Sequence, residues 1–297
     1  MLGLIPVGLV PFYEPFVWTV GPLVLDSWAL LVSIGFIVGL EVARARGIKN
    51  GLDVRDVVDS AVFVVGMGFV VGHLVHVLAY NPHQLEEQGI TALLKVWAGF
   101  SSTGGFIGAV LGCVLMYVAF PRWFGPVRDR MAAAGTEGIG RNMVEWLARE
   151  RAFWPHADTL MYGFPFAWTF GRLGCFSAHD HVGRASDFFL AVDFPQQYYG
   201  GPRHDLGLYE ALWTAVIAAT FYAFRKQPVK PGFFTALWCV LYFPARFGFD
   251  FLRHTDMSGA DVRWVGLTPA QWGALLLFGA GLFVLRRTWG EAPAREE

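Results

Sequence analysis

The sequence predicts an all-α integral membrane protein of about seven transmembrane helices, with its N-terminus outside and its C-terminus in the cytoplasm. Three observations carry that expectation. Apolar residues make up 55% of the chain and charged residues 16%, with a mean hydropathy of +0.43; a soluble domain carries about a quarter charged residues, so this composition suits lipid rather than water. Apolar runs of roughly 20 residues, the length that spans a hydrocarbon core as a helix, recur from end to end. Between them Lys and Arg cluster in every second interval, as the positive-inside rule requires of cytoplasmic loops.

The first run, about 23–42, follows a segment rich in Pro, Phe and Trp and ends at Arg44, Arg46, Lys49 and Arg55, which mark a cytoplasmic loop. The second, about 57–79, carries His73 and His76 on one face, since residues three apart are helix neighbours, and Asn81-Pro82 stops it. A short interfacial helix over about 90–97 leads into the third run, about 106–120, through Ser101-Ser102-Thr103-Gly104-Gly105. Glycines there admit either a neighbouring helix or a polar ligand. Residues 121–155 are the one soluble-looking insertion, holding Arg122, Arg128, Arg130, Arg141, Arg149 and Arg151, with an amphipathic helix over about 141–152 at the cytoplasmic surface. The fourth run, about 158–176, contains Pro165, which predicts a kink.

Residues 177–205 read as a polar outer-side loop with a tight turn at Gly200-Gly201-Pro202. The fifth run, about 206–224, has Tyr209 and Glu210 in its first turn and Arg225, Lys226 and Lys230 behind it. The sixth, about 232–252, contains Pro244 and Arg246, with Asp250 and Arg253 on nearby faces. The seventh, about 267–285, ends in Arg286 and Arg287. The expected organisation is a single polytopic membrane domain over residues 1–297. On this topology every histidine except His156 falls on the outer side, so any chemistry faces the outer leaflet.

The near-neutral net charge of -1 provides no basic stripe for nucleic acid. Cys113 and Cys239 lie in apolar runs and Cys175 follows a membrane arginine, so no disulfide framework is implied. A secretory signal is not expected, because the N-terminal stretch lacks a basic front end and a small-residue cleavage site.

The chemistry concentrates in Gly171-Arg172-Leu173-Gly174-Cys175-Phe176-Ser177-Ala178-His179-Asp180-His181-Val182-Gly183. An arginine at bilayer depth costs roughly 2.5–3.5 kcal/mol on insertion scales, so it faces a partner, a watery cavity or a ligand. Arg172 is therefore either a binding residue or the structural partner of Asp158, Glu210 or a carbonyl. Arg246 has the same two readings, because Asp250 lies one helical turn on. Glu210 and Asp180 either orient a functional group or satisfy an arginine. His204 reads as a hydrogen-bonding residue more than a base. Thr103 with Gly104 and Gly105 serves either helix packing or ligand contact.

This stretch resembles the signature of the bacterial prolipoprotein diacylglyceryl transferases, Gly-Arg-x-Gly-Asn-Phe-x-Asn-x-Glu-x-x-Gly. Gly21-Pro22, the Trp97 to Gly108 region, Arg203-His204 with Tyr209-Glu210, Arg246 with Asp250 and Arg253, and Gln271 follow in the family's order. The resemblance implies transfer of a diacylglyceryl group from phosphatidylglycerol to the lipobox cysteine of a prolipoprotein, in the bacterial cytoplasmic (inner) membrane, with the site towards the outer leaflet and no cofactor. It implies Arg172 and Arg246 as the phosphate clamp, with Asp180 and Glu210 in catalysis and Thr103, Gly104, Gly105, His204 and Arg253 in substrate binding; His179, one of the imidazoles the family's pattern lacks, is expected to act in catalysis in place of the missing histidine. The sequence departs from the pattern at Thr103, where the family has histidine, at Cys175 and Ala178, where it has asparagines, at Asp180, where it has glutamate, and at Trp28, where a tyrosine is usual. Two other readings stay open. One is a metal-assisted lipid hydrolase using His73, His76, His179 and His181. The other is a non-catalytic lipid-binding relative.

Overall fold

Capping residues and glycines set the element boundaries in this computed structural model, which describes residues 10–21, 23–95, 99–255 and 263–290. In chain order the elements are β1 (Val10–Pro11), β2 (Val17–Val20), β3 (Leu23–Asp26), α1 (Ser27–Lys49), α2 (Val54–Val75), α3 (His83–Gln88), α4 (Thr91–Leu94), α5 (Ser102–Val114), α6 (Phe120–Ala133), α7 (Ile139–Leu147) and α8 (Phe153–Ala178). After them come β4 (Val182–Ala185), β5 (Val192–Phe194), β6 (Gly201–Asp205), α9 (Leu206–Ala223), α10 (Phe233–Phe249) and α11 (Pro269–Thr288). Five helical stretches are long and apolar enough to cross a membrane: Ser27–Lys49, Val54–Tyr80, Gly104–Ala133, Leu206–Lys226 and Pro269–Thr288. The protein is thus a mostly helical, multi-pass membrane protein. Helices α8 and α10 occupy the expected fourth and sixth runs, but each carries proline and ionisable residues.

The sequence expectation differs from the structure in three places. The third run does not stop near residue 120: a π turn, Leu115–Ala119, joins α5 to α6, so the helix continues to Ala133 through the start of the insertion. Pro121 does not end the helix: it follows directly on the π turn, where the bonding pattern already shifts from α to π, as Phe120 N donates to the Leu115 carbonyl. The expected interfacial helix is two short pieces, α3 and α4, while Trp97 lies outside the described residues, as does Pro22. Strands are also present. A four-stranded sheet runs β1-β5-β6-β4, with β1 parallel to β5 and the other pairs antiparallel, and β2 pairs with β3 as a hairpin.

The chain divides into two compact units, one from Gly47 to His156 and the other of the described residues up to Arg46 and from Ala157 onward. In the first, Asp53 caps α2 by accepting from Arg55 N, and Ser101 caps α5 by accepting from Gly104 N. Helices α2 and α5 pack backbone to backbone through glycines: Gly104 stands against Val75 and Gly72, and Gly108 against Met67, Val71 and Gly68. Small residues at this spacing allow the close approach on which helix association in lipid depends. Asp56 accepts from Arg149 Nη1 at 2.9 Å and from Arg151 Nε at 3.0 Å, and Trp146 Nε1 donates to Asp59 at 2.7 Å, so α7 and the segment after it are fastened to α2.

In the second unit, α1 and α8 cross at Gly35, Gly39, Gly163 and Ala167. A buried apolar core of Tyr162, Ile217, Phe221, Phe233, Phe234, Leu237, Trp238 and Tyr242 joins α8, α9 and α10. The expected turn at Gly200-Gly201 forms, with φ of 63° and 84°, a conformation that glycine adopts without steric cost. Proline 165 sits within an uninterrupted α8, where its carbonyl accepts from Thr169 Oγ1 at 2.8 Å.

Candidate functional site

Three helices of the second unit aim charged side chains at one point. Arg172 comes from α8, Glu210 from the first turns of α9 and Arg246 from α10. Glu210 is 2% exposed, and its two oxygens face different arginines: Arg172 Nε lies 3.0 Å from Oε2 and Arg246 Nε lies 3.7 Å from Oε1. The Arg172 contact is an ion pair, not a hydrogen bond, because the Nε–H is not directed along it and that donor is buried without a hydrogen-bond acceptor. Tyr242 donates to Glu210 Oε2 at 2.7 Å, and Trp168 lies under the Arg172 guanidinium at 4.7 Å. Arg246 Nη1 donates to Asp250 at 2.7 Å, and Arg253 stands 3.8 Å from the same oxygen. Thr268, the cap of α11, donates to the other Asp250 oxygen. Charges buried in this way persist only when paired and hydrogen-bonded.

The structure therefore brings Arg172, Arg246, Glu210 and Arg253 into one network with Asp250. It adds Tyr242, Trp168 and Thr268, which the sequence reading missed. Tyr242 could have been found, since it lies one helical turn before Arg246 on the same face. Gln271 closes a capping box with Thr268 and donates to the Phe247 carbonyl at 3.1 Å, which ties α11 to α10 behind the cluster.

Beyond Arg172 the chain reverses in a way that decides where the signature's remaining groups go. His179 adopts φ of 49°, Asp180 N bonds the Cys175 carbonyl and His179 N the Phe176 carbonyl, the pattern of a Schellman helix end. The reversal returns Asp180 and His181 to Cys175, so that one ligand atom from each lies within 4.8 Å of the others. His181 Nδ1 is hydrogen-bonded to Asp180 Oδ1, and its Nε2 is 3.4 Å from Arg172 Nη1. Burial would lower the His181 imidazole, and Arg172 acts in the same sense. Hydrogen bonds from the ring to Asp180 and Cys175, with the Asp180 charge, outweigh both and push it up to about 9.

His179 is placed differently from the catalytic role expected of it. It is 7% exposed, Nδ1 is 2.8 Å from Asp205 Oδ2, Nε2 is 3.2 Å from the Tyr13 carbonyl, and Phe12 stacks on the ring. Both nitrogens are engaged in holding the helix end to the sheet, where Val182 pairs with Asp205. His204 has the expected hydrogen-bonding role, with Nδ1 2.8 Å from Tyr209 Oη, and burial lowers its pKa.

The four-histidine metal set fails on the same ground. His73 is fully buried, with Nδ1 3.0 Å from the Gly99 carbonyl and Nε2 2.9 Å from the Ala92 carbonyl, and His76 Nε2 accepts from Asn81 at 3.2 Å. With His179 also engaged, both nitrogens of His73 and of His179, and Nε2 of His76, are taken up by protein partners. Gly104 and Gly105 serve packing, against α2 and against Phe100. Thr103 lies in the first turn of α5, and its side chain is outside the described set.

Fold and cluster together define a mostly helical, multi-pass membrane protein with a buried guanidinium–carboxylate network among its helices. A family model described as prolipoprotein diacylglyceryl transferase matches residues 15–142 and 131–287. The phosphatidylglycerol–prolipoprotein diacylglyceryl transferase of Nitratidesulfovibrio vulgaris is 31% identical over 297 residues, covering 96% of this chain and 98% of its own length. Proteins of the same name from Solidesulfovibrio magneticus and Nitrosomonas europaea are 29% and 26% identical, over 93% of this chain and 95% and 90% of theirs. The chain belongs to the prolipoprotein diacylglyceryl transferase family, a family of transferases.

Proposed function

We propose that this protein transfers a diacylglyceryl group from phosphatidylglycerol to the lipobox cysteine in the signal peptide of a prolipoprotein, with Arg172 and Arg246 as the clamp on the lipid phosphate. The observation that carries this reading is the convergence of two arginines from separate helices on Glu210, in a chain whose relatives are named for that transfer. Sulfur displaces the phosphate ester at a glycerol carbon, so negative charge grows on the departing phosphate. Preorganised guanidiniums are suited to meeting it, since their planar forks take two oxygens at once. The same field favours sulfur in its thiolate form, which is the nucleophile.

Glu210 and Asp250 are the groups that aim this clamp. Glu210 takes the Nε edge of both arginines and Asp250 takes Nη1 of Arg246, an arrangement that leaves further guanidinium edges to turn towards an anion. Asp180 orients His181, and Arg253 extends the cationic surface. The engaged nitrogens of His179 make it a structural residue in this reading. Thr103, Gly104 and Gly105 remain candidate substrate contacts at the entry to α5, where the glycines' packing keeps the loop close to α2. We further propose seven spans in the bacterial inner membrane, as one polytopic domain, with the N-terminus and the site on the outer side and the insertion at about 121–155 in the cytoplasm.

The test is rescue of a bacterium depleted of its own transferase, read as lipid labelling of a lipobox precursor. The wild-type chain should restore labelling, and Arg172→Lys and Arg246→Lys should each abolish it while accumulating to normal amounts in the membrane. Normal labelling by both variants would remove the clamp. A wild-type chain that never restores labelling would remove the transfer itself.

A further inference from the structure

Cys175, Asp180 and His181 stand beside the clamp proposed above, and they form the one group among the described residues with three potential ligand or nucleophilic atoms in mutual reach. Their wiring is directional. Asp180 holds His181 Nδ1, which fixes the proton on that nitrogen and turns Nε2 the other way. The Cys175 sulfur stands within 4.8 Å of a ring nitrogen, and Arg172 Nη1 lies 3.4 Å from Nε2 and 3.8 Å from Sγ. A carboxylate that orients an imidazole which in turn faces a nucleophile is the general arrangement of an activated nucleophile. The group is also reachable, since the His181 and Asp180 side chains are 24% and 42% exposed and Cys175 is only partly buried.

We propose that Cys175, His181 and Asp180 form a nucleophilic site that takes an acyl group from a glycerolipid ester onto the Cys175 sulfur. The sulfur attacks the ester carbonyl carbon, forming the S–C bond. Its proton resides on His181 Nε2, and the ester C–O bond breaks as that proton passes to the departing glycerol oxygen. The products are a lysolipid and a thioester on Cys175. Water, deprotonated by His181, then attacks the thioester, releasing a fatty acid and restoring the thiol. Arg172 selects the substrate class: a phosphate held by its guanidinium brings the ester carbonyls of the same lipid, only a few bonds away, to a sulfur 3.8 Å from Nη1. The same guanidinium argues against a metal on these three residues, because a fixed cation already lies against two of the atoms that would bind it.

The inference rests on Arg172 engaging a lipid phosphate, and two probes separate that premise from the nucleophile. Full-length protein in detergent is incubated either with phosphatidylglycerol vesicles or with p-nitrophenyl butyrate, which has no phosphate, quenched in acid and analysed by peptide mass spectrometry for a thioester. Both probes should acylate Cys175 and leave Cys113 and Cys239 unmodified. Cys175→Ala should lose the adduct, while His181→Gln and Asp180→Asn, checked for retained helicity in detergent, should lower its yield at least tenfold. Arg172→Lys should lower the adduct yield from vesicles more than that from the nitrophenyl ester. Acylation by the nitrophenyl ester alone in the wild type overturns the lipid as substrate. Acylation by neither, or equally in His181→Gln, overturns the nucleophile. Failure of the transfer assay with the Cys175 adduct intact would count against the proposed transfer and not against this site.

Discussion

Replacing Glu210 by glutamine removes one charge and almost no volume, so no cavity cost clouds the result. Glutamine cannot neutralise Arg172, whose carboxylate contact at 3.0 Å is with Glu210 and whose surroundings are only 6% exposed. Arg246 is less affected, because Asp250 still holds it at 2.7 Å while its Glu210 contact is at 3.7 Å. The substitution therefore leaves essentially one buried guanidinium without its counter-charge. Breaking a buried pair from one side costs about 3–5 kcal/mol, a shift of roughly two to three and a half orders of magnitude in the folding equilibrium. Tyr242→Phe, which removes only the 2.7 Å hydrogen bond to the same carboxylate, should cost about 1.5–3 kcal/mol. Both are measured by unfolding in mixed micelles at graded SDS, with helicity as the signal. A loss below about 1 kcal/mol for Glu210→Gln, or a larger loss for Tyr242→Phe than for Glu210→Gln, would refute the view that this carboxylate is ionised and shared between two arginines.

Three further outcomes follow from other contacts. His181 titrates higher in the folded protein, at about 9 against an ordinary 6.5, so its stabilisation is fully present below pH 6.5 and is lost as pH rises through 9. Unfolding at pH 6 and pH 9.5 (about half a unit beyond each value) should differ in the wild type and converge in Asp180→Asn, which removes the hydrogen bond and charge that raise the imidazole. A Cβ at Gly108 would meet the Met67 carbonyl, Val71 Cβ at 2.8 Å and Gly68 Cα at 2.9 Å; because two of these are backbone, Gly108→Ala should destabilise by about 1–3 kcal/mol in the same unfolding assay. Asp56→Ala should strip Arg151, whose side chain is 1% exposed, of its 3.0 Å partner, and the expected loss is about 3 kcal/mol or more, with protease cleavage after Arg149 or Arg151 as a second readout.

Much of the molecule was legible in the chain. Long apolar runs and the alternation of basic loops are one-dimensional properties, which is why the helices at α1, α2, α9 and α11 stand where the hydropathy placed them. The two membrane arginines were conspicuous for the same reason: a charge in an apolar run is costly, and the cost shows in the sequence. The run of α5 into α6 was misjudged because falling hydropathy with Pro121, Gly125 and Pro126 was read as a loop, although residues 120–133 stay helical against that local propensity.

What the chain alone could not decide was pairing. The sequence left Arg172 with Asp158, Glu210 or a carbonyl, whereas the packing of α8 against α9 and α10 selects Glu210 and sends Asp158 to Thr235, whose backbone N donates to it at 2.9 Å. Four outward histidines looked equivalent in one dimension. In three, His73 and His179 have both ring nitrogens occupied and His76 its Nε2, while the helix end that reverses at His179 turns His181 back onto Cys175. Composition and spacing thus determined that this protein lives in a membrane and keeps charge there for a purpose. Which charge meets which was decided only by tertiary structure, because ion pairs and hydrogen bonds depend on distances of a few ångströms between residues tens of positions apart.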